Sequence, residues 1–351
     1  MESGTIEQTL PGLDADIPRV EMTTGHAIPL TPQKRLMVFA GRSHPELAAK
    51  IAEQLGVELG EIELTTFANG ETYCRYCESI RGADVFVVQT GCRPVDQNIM
   101  ELLFMIQAAR LASAKRITAV VPWFPYSRQD RKAKPREPIS SRLLADMLQA
   151  SGVDRLLTMD LHAGQIQGFF TIPVDHMTAL PLFAQHFRDL GLTGERVVSV
   201  APDAGRAKHA VRFAEMIDAE FAIMNKTRPS RDVASVTEIT GRVAGKVAIV
   251  GDDNISTGNT LLQGARALRE AGAEAVWVFA THGLFAADAL ERFAAADLAG
   301  IVVTDTVPVD PLRRPERMTV LTVSGLLAET IMNVFADESV SAIFGGENQL
   351  F

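Results

Sequence analysis

The chain has 351 residues, an apolar fraction of 47% and a formal net charge of −9. This length and apolar content suit two α/β domains with buried cores and exclude a wholly disordered chain. The acidic balance argues against non-specific nucleic-acid binding, yet a local basic site could still take a small anionic substrate. No run reaches the ~18 unbroken apolar residues of a membrane span, so no membrane partner is expected and a cytoplasmic enzyme or binding protein fits best.

Residues 1–33 carry Pro11, Pro18, Pro29 and Pro32, scattered acids and no sustained period. They read as a disordered N-terminal arm. With Glu2 and Glu7 and no cationic start before an apolar run, the arm does not read as a signal peptide.

After the arm, apolar β-rich runs alternate with helical patterns. Leu36–Ala40 reads as a strand, and Ser43-His-Pro-Glu46 as a capping box opening a helix to about Leu55. Val85–Gln89 is a second strand, with a helix from about Asn98 to Ala112 after it. Strands are expected again at 117–121, 156–159, 197–200, 247–250, 275–279 and 301–304. Continuous apolar strands of this kind are covered on both faces, as in parallel sheets with crossover helices. The expected fold is therefore α/β, with two stacked domains joined near residues 178–183. The first would hold 34–178, with the late segment 318–338 returning to it. The second would hold 179–317 and about 339–351.

There are three cysteines, and Cys74-Arg-Tyr-Cys77 has a C-x-x-C spacing. Zinc or redox chemistry is the functional reading. The bland reading is preferred: the pair looks strand-borne, residues three apart on a strand face opposite ways, and no second pair or nearby His completes a set.

Gly251–Thr260 (GDDNISTGNT) stands between the expected strand 247–250 and a helix from Leu261 to Ala271, which Gly272 stops. A phosphate needs several free N–H donors converging on one point, and a helix start supplies them with a favourable dipole. Gly258 lets the backbone come close, Thr257 and Thr260 add hydroxyls, and the preceding Asp252 and Asp253 suit the hydroxyls of a ribose. The loop also lies at a strand's carboxyl end, where open α/β sheets take ligands. An ordinary turn capped by Ser256 or Thr257 is the bland alternative, but two acids after four apolar residues are costly unless used. Neither G-x-G-x-x-G nor G-x-x-x-x-G-K-[ST] occurs, so nicotinamide binding and P-loop hydrolysis lose their main support.

The acid pair followed by T-G-x-T resembles the ribose-phosphate loop of type I phosphoribosyltransferases. Phe39-Ala-Gly-Arg42, Phe67-Ala-Asn-Gly-Glu71, Pro125-Tyr-Ser-Arg-Gln-Asp-Arg131, Asp160–Phe170 (DLHAGQIQGFF), Ala201-Pro-Asp-Ala-Gly205 and Lys226-Thr-Arg-Pro229 occur in that order. Together they resemble the ribose-phosphate pyrophosphokinase family over roughly residues 35–346.

The resemblance implies two phosphoribosyltransferase-like domains and a reaction. ATP would give its pyrophosphoryl group to the anomeric hydroxyl of ribose 5-phosphate, forming PRPP and AMP, with Mg²⁺ and cations neutralising the phosphoryl oxygens. It further implies Phe67, Asn69, Glu71, Arg128, Gln129, Asp130 and His162 around ATP. His162 and Asp203 would lie at Mg²⁺, of which Asp203 is the better ligand, since Mg²⁺ prefers oxygen. Lys226 and Arg228 would be the catalytic cations closing over ATP. Asp252, Asp253, Ser256, Thr257, Gly258, Asn259 and Thr260 would hold ribose 5-phosphate. Ser79, Arg81, Ser339 and Ser341 resemble parts of an inter-subunit site for phosphate and ADP, in a family of dimers that build hexamers. Without the resemblance, 127–132 and 226–231 would read as solvated basic loops.

The family's loop is D-D-M-I-D-T-G-G-T, so this chain has Asn254 for Met, Ser256 for Asp and Asn259 for Gly. Ser256 removes a charge-assisted contact worth about 1.5–3 kcal/mol. Asn259 suits a left-handed position. These departures motivate an alternative, a catalytically impaired regulatory or binding paralogue. A transferase that consumes PRPP is a third reading, against which the second domain and the ATP motifs argue.

Overall fold

The computed structural model describes residues 34–227 and 236–341. The expected arm and residue Arg228 lie outside the described residues. Strands and helices alternate as the hydrophobic pattern requires: β1 (Leu36–Ala40), α1 (Pro45–Leu55), β2 (Ile62–Thr66), β3 (Thr72–Tyr76), β4 (Asp84–Val88), α2 (Val95–Leu111), β5 (Arg116–Val121), α3 (Ser140–Ser151), β6 (Arg155–Met159) and β7 (Val174–Met177). There follow α4 (Leu180–Asp189), β8 (Val197–Ala201), α5 (Ala207–Met216), β9 (Glu220–Thr227), β10 (Val236–Thr240), β11 (Val247–Ile255), α6 (Asn259–Glu270), β12 (Ala275–Gly283), α7 (Ala289–Ala295), β13 (Gly300–Thr304), β14 (Met318–Leu321) and α8 (Ser324–Ala336).

Two sheets result, and the α/β expectation with parallel sheets between helices holds. The first, ordered β1-β4-β5-β6-β7, is parallel throughout. The second is ordered β10-β9-β8-β11-β12-β13-β14 and is parallel except at β9–β10. β4 and β13 are buried at every position, as strands covered on both faces must be. A separate antiparallel hairpin, β2–β3, carries Cys74. Among the described residues no group of His, Cys, Asp and Glu is arranged to hold a metal ion, and no helix is long and apolar enough to cross a membrane.

One hydrophobic cluster joins the layers, running through Val38, Phe86, Phe183, Phe213, Ile249, Phe279 and Ile331. Phe183, Phe187 and Phe213 pack on Phe279 at centroid distances of 4.6, 5.9 and 4.6 Å. Such aromatic contacts add to plain area burial. Polar bonds cross the same junction: Thr281 Oγ1 donates to Asp160 Oδ2 at 2.6 Å, and Thr90 Oγ1 to the Thr306 carbonyl at 2.8 Å.

Three local expectations need correction. Strand Met318–Leu321 does not return to the first sheet. It pairs in parallel with β13, Ile301 opposite Met318, as successive strands tend to do. Only the following helix, α8, packs beside α1. The capping box at 43–46 is not formed: His44 is the cap position without a side-chain cap bond, because Ser43 Oγ accepts from the Thr90 N–H at 2.9 Å. And β11 runs on to Ile255, so Asp252 and Asp253 extend a strand rather than open a loop; Asp252 pairs with Ala280 of β12.

Candidate active site at the strand ends

Three parallel strands end at one place. His162 follows β6 of the first sheet; Asp203 and Arg206 follow β8, and Asp252 and Asp253 lie in the last half of β11, both of the second. His162 Nδ1 lies 2.8 Å from Asp253 Oδ2, tying the two sheets together at their carboxyl ends. Arg206 Nε is 3.1 Å from Asp252 Oδ1, and its Nη2 donates to Asp253 Oδ1. A buried carboxylate is costly alone, and Asp253 is only 3% exposed, so these partners account for its presence. Nδ1 of His162 donates to Asp253, which fixes the tautomer; the Arg206 Nη2 approach at 3.2 Å is then a contact.

The two acids titrate in opposite directions. Burial, and next the neighbouring Asp253 charge, push Asp252 above the usual carboxylate range. Burial also opposes ionisation of Asp253, but the His162 hydrogen bond and the Arg206 charge outweigh it and hold it far below that range. Their different partners thus push the two neighbouring carboxyls apart.

A cavity of about 760 Å³ opens on this cluster, lined by Asp130, Asp160, His162, Arg206, Lys208, His209 and Asp253, among others. Arg128 reaches the same cluster from the first sheet's side: its Nη2 donates to Asn254 Oδ1 at 2.6 Å, and Asn254 Nδ2 donates to Asp253 Oδ2 at 2.6 Å. Asp130 accepts from Gln165 Nε2. Asp203 is exposed, and its Oδ1 accepts from the Arg206 N–H at 3.2 Å.

Beyond the acids, Ser256–Gly258 bridge β11 to α6. Gly258 is the helix cap, at φ +72, and a Cβ there would lie 2.2 Å from Phe293 Cε2. Only glycine satisfies both limits. Asn259 is therefore not the left-handed residue that its type suggested; it is the first residue of α6. Thr260 follows within the first turn, where backbone N–H groups lack helical partners.

Other expected residues are not brought together. Phe67, Asn69 and Glu71 sit on the exposed β2–β3 turn, with Phe67 5.6 Å from the Tyr73 ring, and none lines the cavity. Gln129 is used locally, accepting from Ser140 Oγ at 2.6 Å. The Lys226 backbone lies in β9, opposite Thr237, while its side chain is outside the described residues. Ser339 and Ser341 share a 2.7 Å hydroxyl contact after α8; Arg81 and Ser79 are exposed near β4. Arg206 escaped the sequence reading. Its signal was there: a cation three residues beyond Asp203 in the same strand–helix turn.

Parallel strand ends converging on an acid–arginine–histidine cluster, just before a glycine-capped helix start, define an α/β protein with a polar site at the carboxyl ends of its sheets. Residues 36–152 match the family model described as the N-terminal domain of ribose phosphate pyrophosphokinase. Residues 222–345 match the phosphoribosyl synthetase-associated domain. A ribose-phosphate pyrophosphokinase of Caldanaerobacter subterraneus is 47% identical over 309 residues, covering 88% of this chain and 98% of that one. Its counterpart in Fusobacterium nucleatum is 45% identical over 307 residues, covering 88% and 97%. The crystal structure of phosphoribosylpyrophosphate synthetase from Mycobacterium smegmatis superposes with a TM-score of 0.81 at 43% identity, covering 87% of this chain and all of that one. The chain belongs to the ribose-phosphate pyrophosphokinase family.

Proposed function

We propose that the chain transfers the β,γ-pyrophosphoryl group of ATP to the anomeric hydroxyl of ribose 5-phosphate, giving PRPP and AMP for nucleotide biosynthesis, and that the strand-end cavity is where this happens. The observation that carries the site assignment is the 2.8 Å junction of His162 with Asp253, which sets residues of both sheets against one cavity; the 256–260 loop does not line that cavity and is joined to it through Asp253, three residues earlier in the chain. The activity itself rests on relatives that match along nearly their whole length. No structural observation favours the impaired-paralogue alternative.

The anomeric oxygen forms a bond to the β-phosphorus, and the bond from that phosphorus to the oxygen bridging to the α-phosphorus breaks. AMP leaves with the electron pair, and the hydroxyl proton is lost. In this reading the first turn of α6, with Thr257, Gly258 and Thr260, takes the 5-phosphate, and Asp252 and Asp253 face the ribose hydroxyls. Position 256 offers a hydroxyl where its family has a carboxylate. Arg128 approaches the triphosphate, and Asp130 and Gln129 lie on its segment. Phe67, Asn69 and Glu71 are assigned to the adenine from a neighbouring copy or a closed state, because they lie away from this chain's own cavity. Lys226 and Arg228 are assigned to the charge that spreads over the migrating group.

Mg²⁺ suits the donor set only in part. Asp203 is exposed and has carboxylate oxygen to spare, whereas His162 Nδ1 is committed to Asp253. A cation held by one carboxylate and otherwise by substrate phosphates is the usual Mg²⁺ arrangement, so Asp203 would hold it with ATP. When bound, the ion neutralises phosphoryl charge. A homo-oligomer built from dimers, up to a hexamer, with phosphate and ADP as effectors near Ser79, Arg81, Ser339 and Ser341, completes the reading. So does a cytoplasmic location, although two plant relatives are named chloroplastic. Titration with ribose 5-phosphate by calorimetry tests the site: Asp252→Asn and Thr260→Val should each weaken binding, and unchanged affinity in both would refute the placement.

A further inference from the structure

We propose that Arg292 of α7, together with Asn259, is a clamp that aims the backbone donors of the 256–260 loop at the substrate phosphate, making Arg292 a positioning residue for the sugar phosphate. The inference rests on the loop being the ribose 5-phosphate site.

The loop is held from behind at successive peptides. Ala286 N–H donates to the Ser256 carbonyl at 3.0 Å. Arg292 Nη2 donates to the Thr257 carbonyl at 2.6 Å. In a trans peptide the C=O and the following N–H point in opposite directions. Fixing the Ser256 and Thr257 carbonyls on the α7 side therefore turns the Thr257 and Gly258 N–H groups the other way. Those are the donors that a phosphate at this helix start would use.

Arg292 does more than hold one carbonyl. Its Nη1 donates to Asn259 Oδ1 at 2.8 Å, so one guanidinium spans the loop from the residue before Gly258 to the residue after it. Phe293, the next residue, is fully buried and fills the space beside Gly258 where a side chain would stand. The carboxylate of Asp288, the residue capping α7, is 3.9 Å from Arg292 Nε and holds the guanidinium only loosely, so the loop contacts dominate its placement. Asn259 stands where the resembling loops have glycine, and its amide oxygen is the acceptor that a glycine cannot offer. In this chain the clamp supplies from outside the rigidity that a more flexible glycine pair would lack.

The clamp touches no reacting atom, so its effect belongs in sugar-phosphate binding rather than in turnover. The test is steady-state kinetics of the full-length chain, varying ribose 5-phosphate at saturating Mg·ATP and then ATP at saturating sugar phosphate. Arg292→Ala is expected to raise KM for ribose 5-phosphate about tenfold, with kcat and KM for ATP within about twofold. Arg292→Lys, which keeps the charge but cannot span both acceptors, should raise it about fivefold. Asn259→Gly should raise it about two- to threefold alone and not at all in an Arg292→Ala background, since the contact is then already gone. Thr260→Val separates the two levels. If it raises KM for ribose 5-phosphate while the Arg292 and Asn259 variants do not, the clamp is overturned and the site assignment stands. If none of them moves it, both fall. Should Arg292→Ala fail to fold, unchanged KM in Arg292→Lys and Asn259→Gly overturns the clamp equally.

Discussion

The His162 imidazole and the Asp253 carboxylate meet at 2.8 Å, and each comes from a different sheet. The contact lies at the carboxyl ends of β6 and β11, so packing of the two layers and assembly of the site are one event. Changes at this junction should register in both stability and activity.

Asp253→Asn removes a buried charge that answers Arg206 and His162. Breaking one partner of a buried pair costs about 3–5 kcal/mol, and the low end applies because Asp252 still faces Arg206. Calorimetric melting should show a lowered Tm, and AMP formation should fall at least ~100-fold. Wild-type turnover in the variant would remove Asp253 from the site.

Thr281→Val tests the polar bonding between the layers apart from the chemistry. Thr281 Oγ1 donates to Asp160 Oδ2, which also accepts from the Ala179 N–H at 2.9 Å. Valine keeps the shape and leaves the buried acceptor one donor short, at about 1–3 kcal/mol. Urea denaturation measures this; a change under ~0.3 kcal/mol would show that the bond contributes nothing net.

Gly258→Ala combines a left-handed backbone with a Cβ 2.2 Å from Phe293 Cε2. The conformation costs about 1–2 kcal/mol, and the collision adds about 1–3 kcal/mol unless the loop shifts. KM for ribose 5-phosphate should rise by an order of magnitude or more. An unchanged KM with an unchanged Tm would mean that the loop is neither strained nor at the sugar phosphate.

His176 gives the pH dependence of stability. Burial lowers its pKa to about 4 against the opposing pull of Asp160, with His282 adding to the lowering. The neutral ring accepts the Leu161 N–H at Nε2, 2.8 Å away. The unfolded chain takes up the proton near pH 6.5, so the folded state loses stability as pH falls from about 6.5 towards 4 and keeps it above 6.5. His176→Gln retains an acceptor with no proton to gain, and should flatten the drop in Tm between pH 7 and pH 5. Equal slopes for both proteins would contradict this.

Much of the architecture was legible because a strand buried on both faces writes an unbroken apolar run, as at 85–88 and 301–304. Edge strands write less. The Met318–Leu321 segment is half-buried, so nothing local said which sheet it joins. The acids 252 and 253 looked like loop residues because a strand with two adjacent carboxylates is explicable only by partners 47 and 91 positions away, Arg206 and His162. Motif order marked His162, Asp203, Arg128 and the 252–260 segment. Arg206 and Arg292 were missed, since an arginine after a strand or on a short helix is ordinary until the chain folds and shows what its guanidinium holds.

The central claim is transfer of a two-phosphate unit to ribose 5-phosphate. Incubating the protein with Mg²⁺, ribose 5-phosphate and ATP labelled at the γ-phosphorus tests it most directly. The account predicts unlabelled AMP and labelled PRPP in equal amounts, both strictly dependent on the sugar phosphate. Formation of ADP with a sugar that has gained only one phosphate, a ribose bisphosphate, or no AMP from protein that melts normally, would contradict it.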